Sequence, residues 1–233
     1  MQRHHRYYDL ILAAFVVVLL CSNFIGAGKT ATLDLPLFGP VIFGAGILFF
    51  PIAYFFGDII TEVYGYAYDR RAVWAGFTAL AFAAIMAQIV IALPVAPGGY
   101  MAHYQEGLET VFGNSWRIAL ASMLAFWCGS FSNSYVLAKM KIMTQGRHLW
   151  TRTIGSTVVG ELVDSSLFYA IAFYGIWSTA EIIQVALAQY VLKTAWEVLA
   201  TPLTYAVVRR LKQIESEDFY DTNTNFTPFR VKV

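Results

Sequence analysis

The sequence predicts an all-α integral membrane protein with six transmembrane helices, and three observations lead to that prediction. Hydrophobic residues fill 58% of the 233 positions, charged residues fill only 13%, and the mean hydropathy is +0.56. Soluble domains carry about 25% charged residues. Apolar runs of about 20 residues, long enough to cross a bilayer, recur six times. Basic residues collect at alternate ends of these runs, as the positive-inside rule predicts.

The six apolar runs define one transmembrane domain, which we expect over residues 1–213. They cover residues 8–27, 41–62, 72–93, 118–138, 156–177 and 183–208. A basic segment precedes the first run and could indicate a signal peptide. Because no clear small-residue cleavage site follows the run, we expect a retained first helix. Residues 214–233 are polar, and we expect a solvated cytoplasmic tail there.

The distribution of lysine and arginine places both termini in the cytoplasm. Basic residues precede the first run, follow the second, separate the fourth from the fifth and follow the sixth: Arg3, Arg6, Arg70, Arg71, Lys139, Lys141, Arg147, Arg152, Arg209, Arg210 and Lys212. The opposite loops carry only Lys29 and Arg117. Six spans with both termini on the cytoplasmic side satisfy every loop.

The longest external loop, residues 94–116, predicts a short amphipathic helix on the outer surface. Met101, Tyr104, Leu108 and Val111 recur there at helical spacing. Such a helix could be a lid over an entrance or a structural cap, and the sequence is compatible with both roles.

Six charged side chains lie in the second, fifth and sixth apolar runs and indicate the functional region. They are Asp58, Glu62, Glu161, Asp164, Lys193 and Glu197. A charge at the centre of a membrane helix costs about 2.5–3.5 kcal/mol, so these groups must face one another or a polar cavity. The alternative is a structural ion-pair network, in which Lys193 and Glu197 could pair within one helix. Near the inner interface, Arg70 or Arg71 could neutralise Glu62.

Helical spacing places the charges on polar faces, which we expect to bind a substrate. The aligned residues are Tyr54, Asp58 and Glu62 in the second run, Glu161, Asp164, Ser165 and Phe168 in the fifth, and Gln189, Lys193, Glu197, Thr201 and Tyr205 in the sixth. Asn23 and Asn133 add neutral amides. Pro51 and Pro202 predict a kink or an irregular backbone beside these faces. Aromatic rings flank the acids, a combination that suits a flat heterocycle with ring N–H groups.

The sequence lacks the motifs of several enzyme classes. It contains no His-Glu-x-x-His zinc motif, no Gly-x-Ser-x-Gly elbow and no Gly-rich nucleotide loop. All four histidines lie outside the apolar runs, and Cys21 and Cys128 are isolated inside them. We therefore expect a protein that is not an enzyme and that needs no cofactor or bound metal. The net charge of +1 gives no indication of a nucleic-acid partner.

Small residues form a row along the third apolar run. Ala75, Ala79, Ala83 and Ala87 recur at four-residue intervals. Such rows allow helices to approach closely. The row could pack inside the bundle or form the interface of a homodimer.

Three segments carry a resemblance to a known family. They are residues 50–66 (FPIAYFFGDIITEVYGY), 160–165 (GELVDS) and 193–203 (KTAWEVLATPL). These motifs resemble the queuosine precursor transporter family, also called the vitamin uptake transporter family, and the likeness extends over roughly residues 8 to 213. The six charged positions match the motifs of that family.

The resemblance implies a function and a fold. It implies a six-helix, multi-pass protein of the cell inner membrane that imports 7-cyano-7-deazaguanine or 7-aminomethyl-7-deazaguanine for transfer RNA queuosine salvage. It also implies a fold similar to the substrate-capture subunits of energy-coupling-factor importers. A carboxylate can accept hydrogen bonds from the adjacent ring N–H and amine of a deazaguanine. Our hypothesis gives that role to Glu161 or Asp164, with Lys193 and Glu197 in support.

Other functions remain open at this stage. The chain could be a capture subunit for a vitamin-like small molecule that requires a separate energising module. It could also be a membrane enzyme or a structural scaffold, although the missing motifs count against the first and the intramembrane charges against the second. Whether the chain alone supports uptake separates the leading function from the capture subunit.

Overall fold

Seven α-helices and one antiparallel hairpin make up the part of the chain that the structure describes. The computed structural model describes residues 5–26, 29–35, 39–113 and 116–230, with the backbone alone for residues 30, 33–35 and 39–44. The elements are α1 (Tyr8–Cys21), β1 (Thr30–Leu35), β2 (Gly39–Gly44), α2 (Phe50–Tyr64), α3 (Tyr66–Ala92), α4 (Gly99–Phe112), α5 (Trp116–Met143), α6 (Leu149–Phe173) and α7 (Thr179–Glu215). The predicted helical membrane fold is confirmed, but the hairpin was not predicted.

Within the described residues, four helical segments are long and apolar enough to cross a membrane by length and composition. They are Tyr8–Gly26, Ala45–Tyr64, Tyr66–Ala92 and Leu149–Phe173, and they overlap the first, second, third and fifth predicted spans. The helices α5 and α7, of 28 and 37 residues, are long enough but more polar. Spans through α5 and α7 therefore stay a prediction.

The two prolines lie at different places in their helices. Pro51 lies in the first turn of α2, after a 3₁₀ turn at Ala45–Leu48. In a first turn the missing N–H of proline has no intrahelical partner to lose. Pro202 lies inside α7, yet the helix continues past it to Glu215. The irregular backbone expected at Pro202 stays a prediction.

The predicted helix in the long external loop is confirmed as α4. None of its residues is buried in the chain. The Gln105 side chain donates from Nε2 to the carbonyl oxygen of Ile91 at 2.9 Å, and Gln88 donates to the carbonyl oxygen of Phe112 at 2.8 Å. These two bonds attach α4 to the last turns of α3.

Helices α5 and α6 cross at two glycines. A Cβ atom on Gly129 would lie 2.8 Å from the Cβ of Asp164 and 2.8 Å from the Tyr54 hydroxyl. A Cβ atom on Gly160 would lie 2.7 Å from the Cβ of Asn133. The crossing therefore has no room for a side chain at either position. This close approach brings polar residues of α2, α5 and α6 together.

The start of α1 and the end of α7 lie at the same end of the bundle. Glu215, at the end of α7, accepts the backbone N–H groups of Arg6 and Tyr7 at 2.9 and 2.8 Å. It also accepts the Tyr64 hydroxyl at 2.9 Å. The carboxylate thus satisfies free N–H groups at the start of α1, which no residue of α1 itself caps.

The C-terminal tail packs on the bundle, contrary to the prediction of a solvated extension. Asp221 is buried and accepts the backbone N–H of Tyr66 at 3.1 Å. Arg70 donates to the carbonyl oxygens of Asn225 and Thr227 at 2.7 and 2.9 Å. Gly65 connects α2 to α3 with a φ of +93°, and the Phe219 ring covers it. A Cβ atom at this position would lie 2.3 Å from that ring.

A buried ion network joins four helices to the tail, and we call it the Glu62 cluster. Its members are Glu62, Lys141, Arg152, Lys212 and Asp218. Arg152 donates two hydrogen bonds of 2.8 Å to the Glu62 carboxylate, and Lys141 Nζ lies 3.5 Å from it. The predicted neutralisation of Glu62 by Arg70 or Arg71 is therefore wrong, because Lys141, Arg152 and Lys212 pair with it. The cluster fixes the relative positions of α2, α5, α6 and α7.

Removing the central charge of this cluster should destabilise the protein. The Glu62→Gln substitution keeps the side-chain shape but leaves the buried Arg152 and Lys141 without their carboxylate. Breaking a buried ion pair costs about 3–5 kcal/mol, which corresponds to a melting temperature lower by about 10 °C. Thermal unfolding of the purified protein measures this shift. The matched control is Glu106→Gln, at an exposed carboxylate of α4, and an equal melting temperature for both variants would refute the prediction.

The attachment of the tail should depend on Asp218 and on pH. Burial acts to raise the pKa of Asp218, but hydrogen bonds from Lys141 and Lys212 outweigh it and hold the pKa below its ordinary value. A lowered pKa means that this contact contributes fully at neutral pH and is lost as the pH falls below about 4. In Asp218→Asn, we expect the tail to lose protection already at neutral pH.

Hydrogen exchange of residues 216–230 measures this attachment. The variant Asn223→Ala, at an exposed position of the same segment, is the control and should keep the protection of the unmodified protein. Equal protection of the tail in Asp218→Asn and in the control would contradict the proposed contact.

Candidate functional site

A cavity of about 800 Å³ occupies the end of the bundle remote from the tail. Its walls come from the C-terminal halves of α3 and α6, the N-terminal halves of α5 and α7, the end of α4, the turn that follows α1, and the start of α2 with the turn before it. This volume is in the range of small-molecule binding sites. Asp164 and Lys193 are the lining residues of α6 and α7 that lie nearest the tail, so they mark the inner end of the cavity.

Three charged residues form what we call the inner triad: Glu161, Asp164 and Lys193. The Lys193 ammonium lies 2.7 Å from Asp164 Oδ2 and 2.8 Å from Glu161 Oε2. It also lies 4.5 Å from the centre of the Phe50 ring, a cation–π contact. With two carboxylates and one ammonium ionised, the triad carries one net negative charge. A ligand that presents hydrogen-bond donors is therefore favoured at this end of the cavity.

Aromatic side chains line the wall next to the triad. Phe168, Tyr169 and Phe173 follow Asp164 along α6, and all three face the cavity. Phe173 stacks on Trp177 with ring centres 3.9 Å apart and an angle of 11°. Aromatic faces bind flat rings by offset stacking. The wall thus combines a surface for a planar ring with a charged end.

Several polar groups of the cavity are already hydrogen-bonded within the protein. Asn23 accepts the Ser122 hydroxyl at 2.7 Å and donates to the Leu19 carbonyl oxygen at 2.9 Å. The buried Ser165 hydroxyl, by contrast, has no hydrogen-bond partner within the described part of the chain. Ser165 and Gln184 line the cavity beside the predicted residues. Helical spacing placed Ser165 on the predicted polar face of the fifth run. It did not indicate Gln184, which lies outside the row of residues spaced by four that contains Gln189 and Lys193.

The structure divides the sequence-predicted residues into three groups. Five line the cavity: Asn23, Asp164, Phe168, Gln189 and Lys193. Five are absent from the cavity lining: Tyr54, Asp58, Asn133, Glu161 and Glu197. The remaining residue, Glu62, belongs to the Glu62 cluster at the tail end. Residues that share a polar face of one helix therefore lie at different depths in the bundle and contact different partners.

The predicted alternative of a pair within α7 is wrong. Lys193 pairs with Glu161 and Asp164 of α6. Neither carboxylate oxygen of Glu197 has a hydrogen-bond partner among the residues described. Asp58, on α2, accepts the side-chain N–H of Asn133 at 2.7 Å. Asp58 and Glu197 are 0% and 1% exposed, so both carboxyl groups lie away from water.

Comparisons with known proteins identify the family of this chain. The family described as "Putative vitamin uptake transporter" matches residues 44–207. The chain is 32% identical over 189 residues to a protein of Bacillus subtilis (strain 168) named "Probable queuosine precursor transporter", covering 81% of this chain and 76% of that one. It is 25% identical over 131 residues to the "Queuosine precursor transporter" of Escherichia coli (strain K12), covering 55% of this chain and 54% of that one.

No solved structure matches the chain at a significant level. The predicted likeness to the capture subunits of energy-coupling-factor importers therefore stays a prediction. The family match covers more than two thirds of the chain, including the six charges of the predicted spans. The protein is a membrane transporter rather than an enzyme, and it belongs to the vitamin uptake transporter family.

Proposed function

We propose that this protein imports a queuosine precursor, 7-cyano-7-deazaguanine or 7-aminomethyl-7-deazaguanine, for transfer RNA queuosine salvage. The relatives in Bacillus subtilis and Escherichia coli carry queuosine precursor transporter in their names. The observation that carries the proposal is the inner triad at the end of an aromatic-lined cavity. A planar base that presents two adjacent N–H donors fits both features.

Asp164 is the carboxylate that reads the base in this proposal. It lines the cavity, whereas Glu161 does not. One carboxylate can accept the ring N–H and the exocyclic amine of a deazaguanine side by side. Lys193 has N–H groups left to donate to the ring carbonyl oxygen, because it donates a hydrogen bond to Asp164 and forms only an ion pair with Glu161. Glu161, which lies outside the cavity lining, then holds the Lys193 ammonium in place through their ion pair.

The aromatic wall supplies the second part of recognition. Phe168 and Tyr169 lie one turn beyond Asp164 on α6 and face the same cavity. A ring held by its polar edge at Asp164 would present its flat faces to these side chains. Tyr54, Asp58, Asn133 and Glu197 lie outside the cavity lining, so we assign them no direct contact with the substrate.

The orientation follows from the charges at the tail end. Lysine and arginine residues cluster at the end of the bundle that also carries both termini. We propose that this end faces the cytoplasm and that six helices cross the cell inner membrane. The cavity then lies in the outer half of the bundle, where it can take substrate from outside. A homodimer through the alanine row of α3 stays a prediction.

A rescue assay tests the proposed substrate. The full chain is expressed in bacteria that neither make nor import the precursor, and 7-cyano-7-deazaguanine is supplied at low concentration. We expect queuosine to appear in transfer RNA, because the chain alone brings the base into the cell. Protein that is folded in the membrane but restores no queuosine would contradict the proposal. That result would favour a capture subunit with a missing energising module or a different ligand.

Substitution of Asp164 tests the proposed recognition. Asp164→Asn replaces one acceptor oxygen by an amine that repels the donors of the base, while Lys193 keeps Glu161 as its partner. A hydrogen bond to a charged group contributes about 1.5–3 kcal/mol, so the affinity should fall by roughly 10- to 150-fold. Equilibrium binding of 7-cyano-7-deazaguanine to the purified variant measures this. The control Glu106→Gln makes the same charge change outside the cavity, and equal affinities would exclude the assignment.

A further inference from the structure

Two buried carboxyl groups, Asp58 and Glu197, have no role in the site described so far. Three of their four oxygens, Asp58 Oδ2 and both oxygens of Glu197, have no hydrogen-bond partner within the described part of the chain. The fourth, Asp58 Oδ1, accepts the Asn133 side chain at 2.7 Å. The other polar atom of that amide, Asn133 Oδ1, also lacks a partner among these residues. All four unpartnered atoms are acceptors, so the group lacks a donor.

The charges around this pair are acidic. The ionisable groups close enough to act electrostatically on Asp58 are Glu197 of α7, Asp69 of α3, and Glu62 and Tyr54 of α2, and Asn133 of α5 is its neutral neighbour. Glu161 of α6 also faces Glu197. Among the described residues, the cations nearest in the fold pair elsewhere: Lys193 in the inner triad, and the basic residues of the Glu62 cluster with Glu62 and Asp218. No described cation forms an ion pair with Asp58 or Glu197.

Two ionised carboxylates in such surroundings are strongly disfavoured. Each unpaired buried charge costs several kcal/mol, and two like charges close together oppose ionisation of both. One bound proton removes one of the charges. It also supplies the missing donor, because a protonated carboxyl group can donate to an acceptor that now has none. A water molecule would supply a donor but would leave both charges in place.

We propose that Asp58 and Glu197 form a proton-binding pair, at which uptake of the substrate is coupled to protons. The coupling rests on the proposed function, but the binding of the proton does not. One proton enters the pair from the outer side, so its charge changes from −2 to −1. The same proton leaves to the inner side after the substrate, and the charge returns to −2.

Helix α7 connects the proton pair to the substrate site. Lys193, which contacts Asp164 at the inner end of the cavity, and Glu197 are one turn apart, about 6 Å along the helix axis. On α2, Asp58 lies one turn from Glu62, at the centre of the cluster that holds the tail end. The pair thus lies between the substrate cavity and the Glu62 cluster. A change in its charge acts on both helices that carry it.

Infrared difference spectroscopy tests the bound proton without any substrate. The full chain is measured in liposomes over a range of pH. We expect a protonated carboxyl band at neutral pH that both Asp58→Asn and Glu197→Gln remove, since each amide keeps the shape of a neutral acid. Glu106→Gln, at an exposed carboxyl group of α4, is the control and should keep the band. Absence of the band from the unmodified protein, or its persistence in both variants, would overturn the proposal.

Transport in the same liposomes tests the coupling. Uptake of 7-cyano-7-deazaguanine is compared with and without a pH gradient that is acidic outside, at fixed sodium concentration. We expect the gradient to raise uptake by the unmodified protein severalfold, while the ratio falls to about one in each variant, whatever the residual rate. Uptake that follows a sodium gradient and ignores the pH gradient would overturn the coupling. Failure of the unmodified protein to bind or carry the base would instead refute the proposed function, while the infrared band still decides the proton site.

Discussion

Charge that must be buried within an apolar bundle is the constraint on which the rest of this structure depends. An ionised group in such an interior is strongly destabilising unless a partner neutralises it. The inner triad and the Glu62 cluster meet the constraint with ion pairs that join different helices. The pair of Asp58 and Glu197 has no such partner, and this difference is why we assign it a bound proton.

The close packing of the helices serves the same constraint. Because Gly129 and Gly160 carry no side chain, α5 and α6 approach until Asn133, Asp164 and Tyr54 lie next to the crossing. A larger residue at either position would separate the helices and the polar groups that they carry. The tail adds to the packing at the opposite end, where Asp218 and Asp221 contact α5 and the start of α3. The tail is therefore part of the helical domain rather than an appendage.

Depth along the bundle separates three chemical tasks. The cavity presents an aromatic wall and a carboxylate to a small molecule. Deeper in the bundle, Asp58 and Glu197 have no cation as a partner among the described residues. At the tail end, the charges of the Glu62 cluster pair with one another. Lys193 and Glu197 belong to one helix, as do Asp58 and Glu62. Movement of either helix would therefore reach two of these regions at once, which is the arrangement that a coupled transporter needs.

Hydrophobicity and helical spacing predicted the helical membrane fold, the positions of most helices and their polar faces, because both are local properties that can be read from the order of residues. The β1–β2 hairpin and the docking of the tail were not predicted. The sequence also assigned Glu62 and Asp164 to the same kind of polar face, whereas the folded chain places Glu62 in the Glu62 cluster and Asp164 in the cavity. Which charges meet follows from the folded structure alone, because an ion pair between α6 and α7 depends on how two distant segments pack.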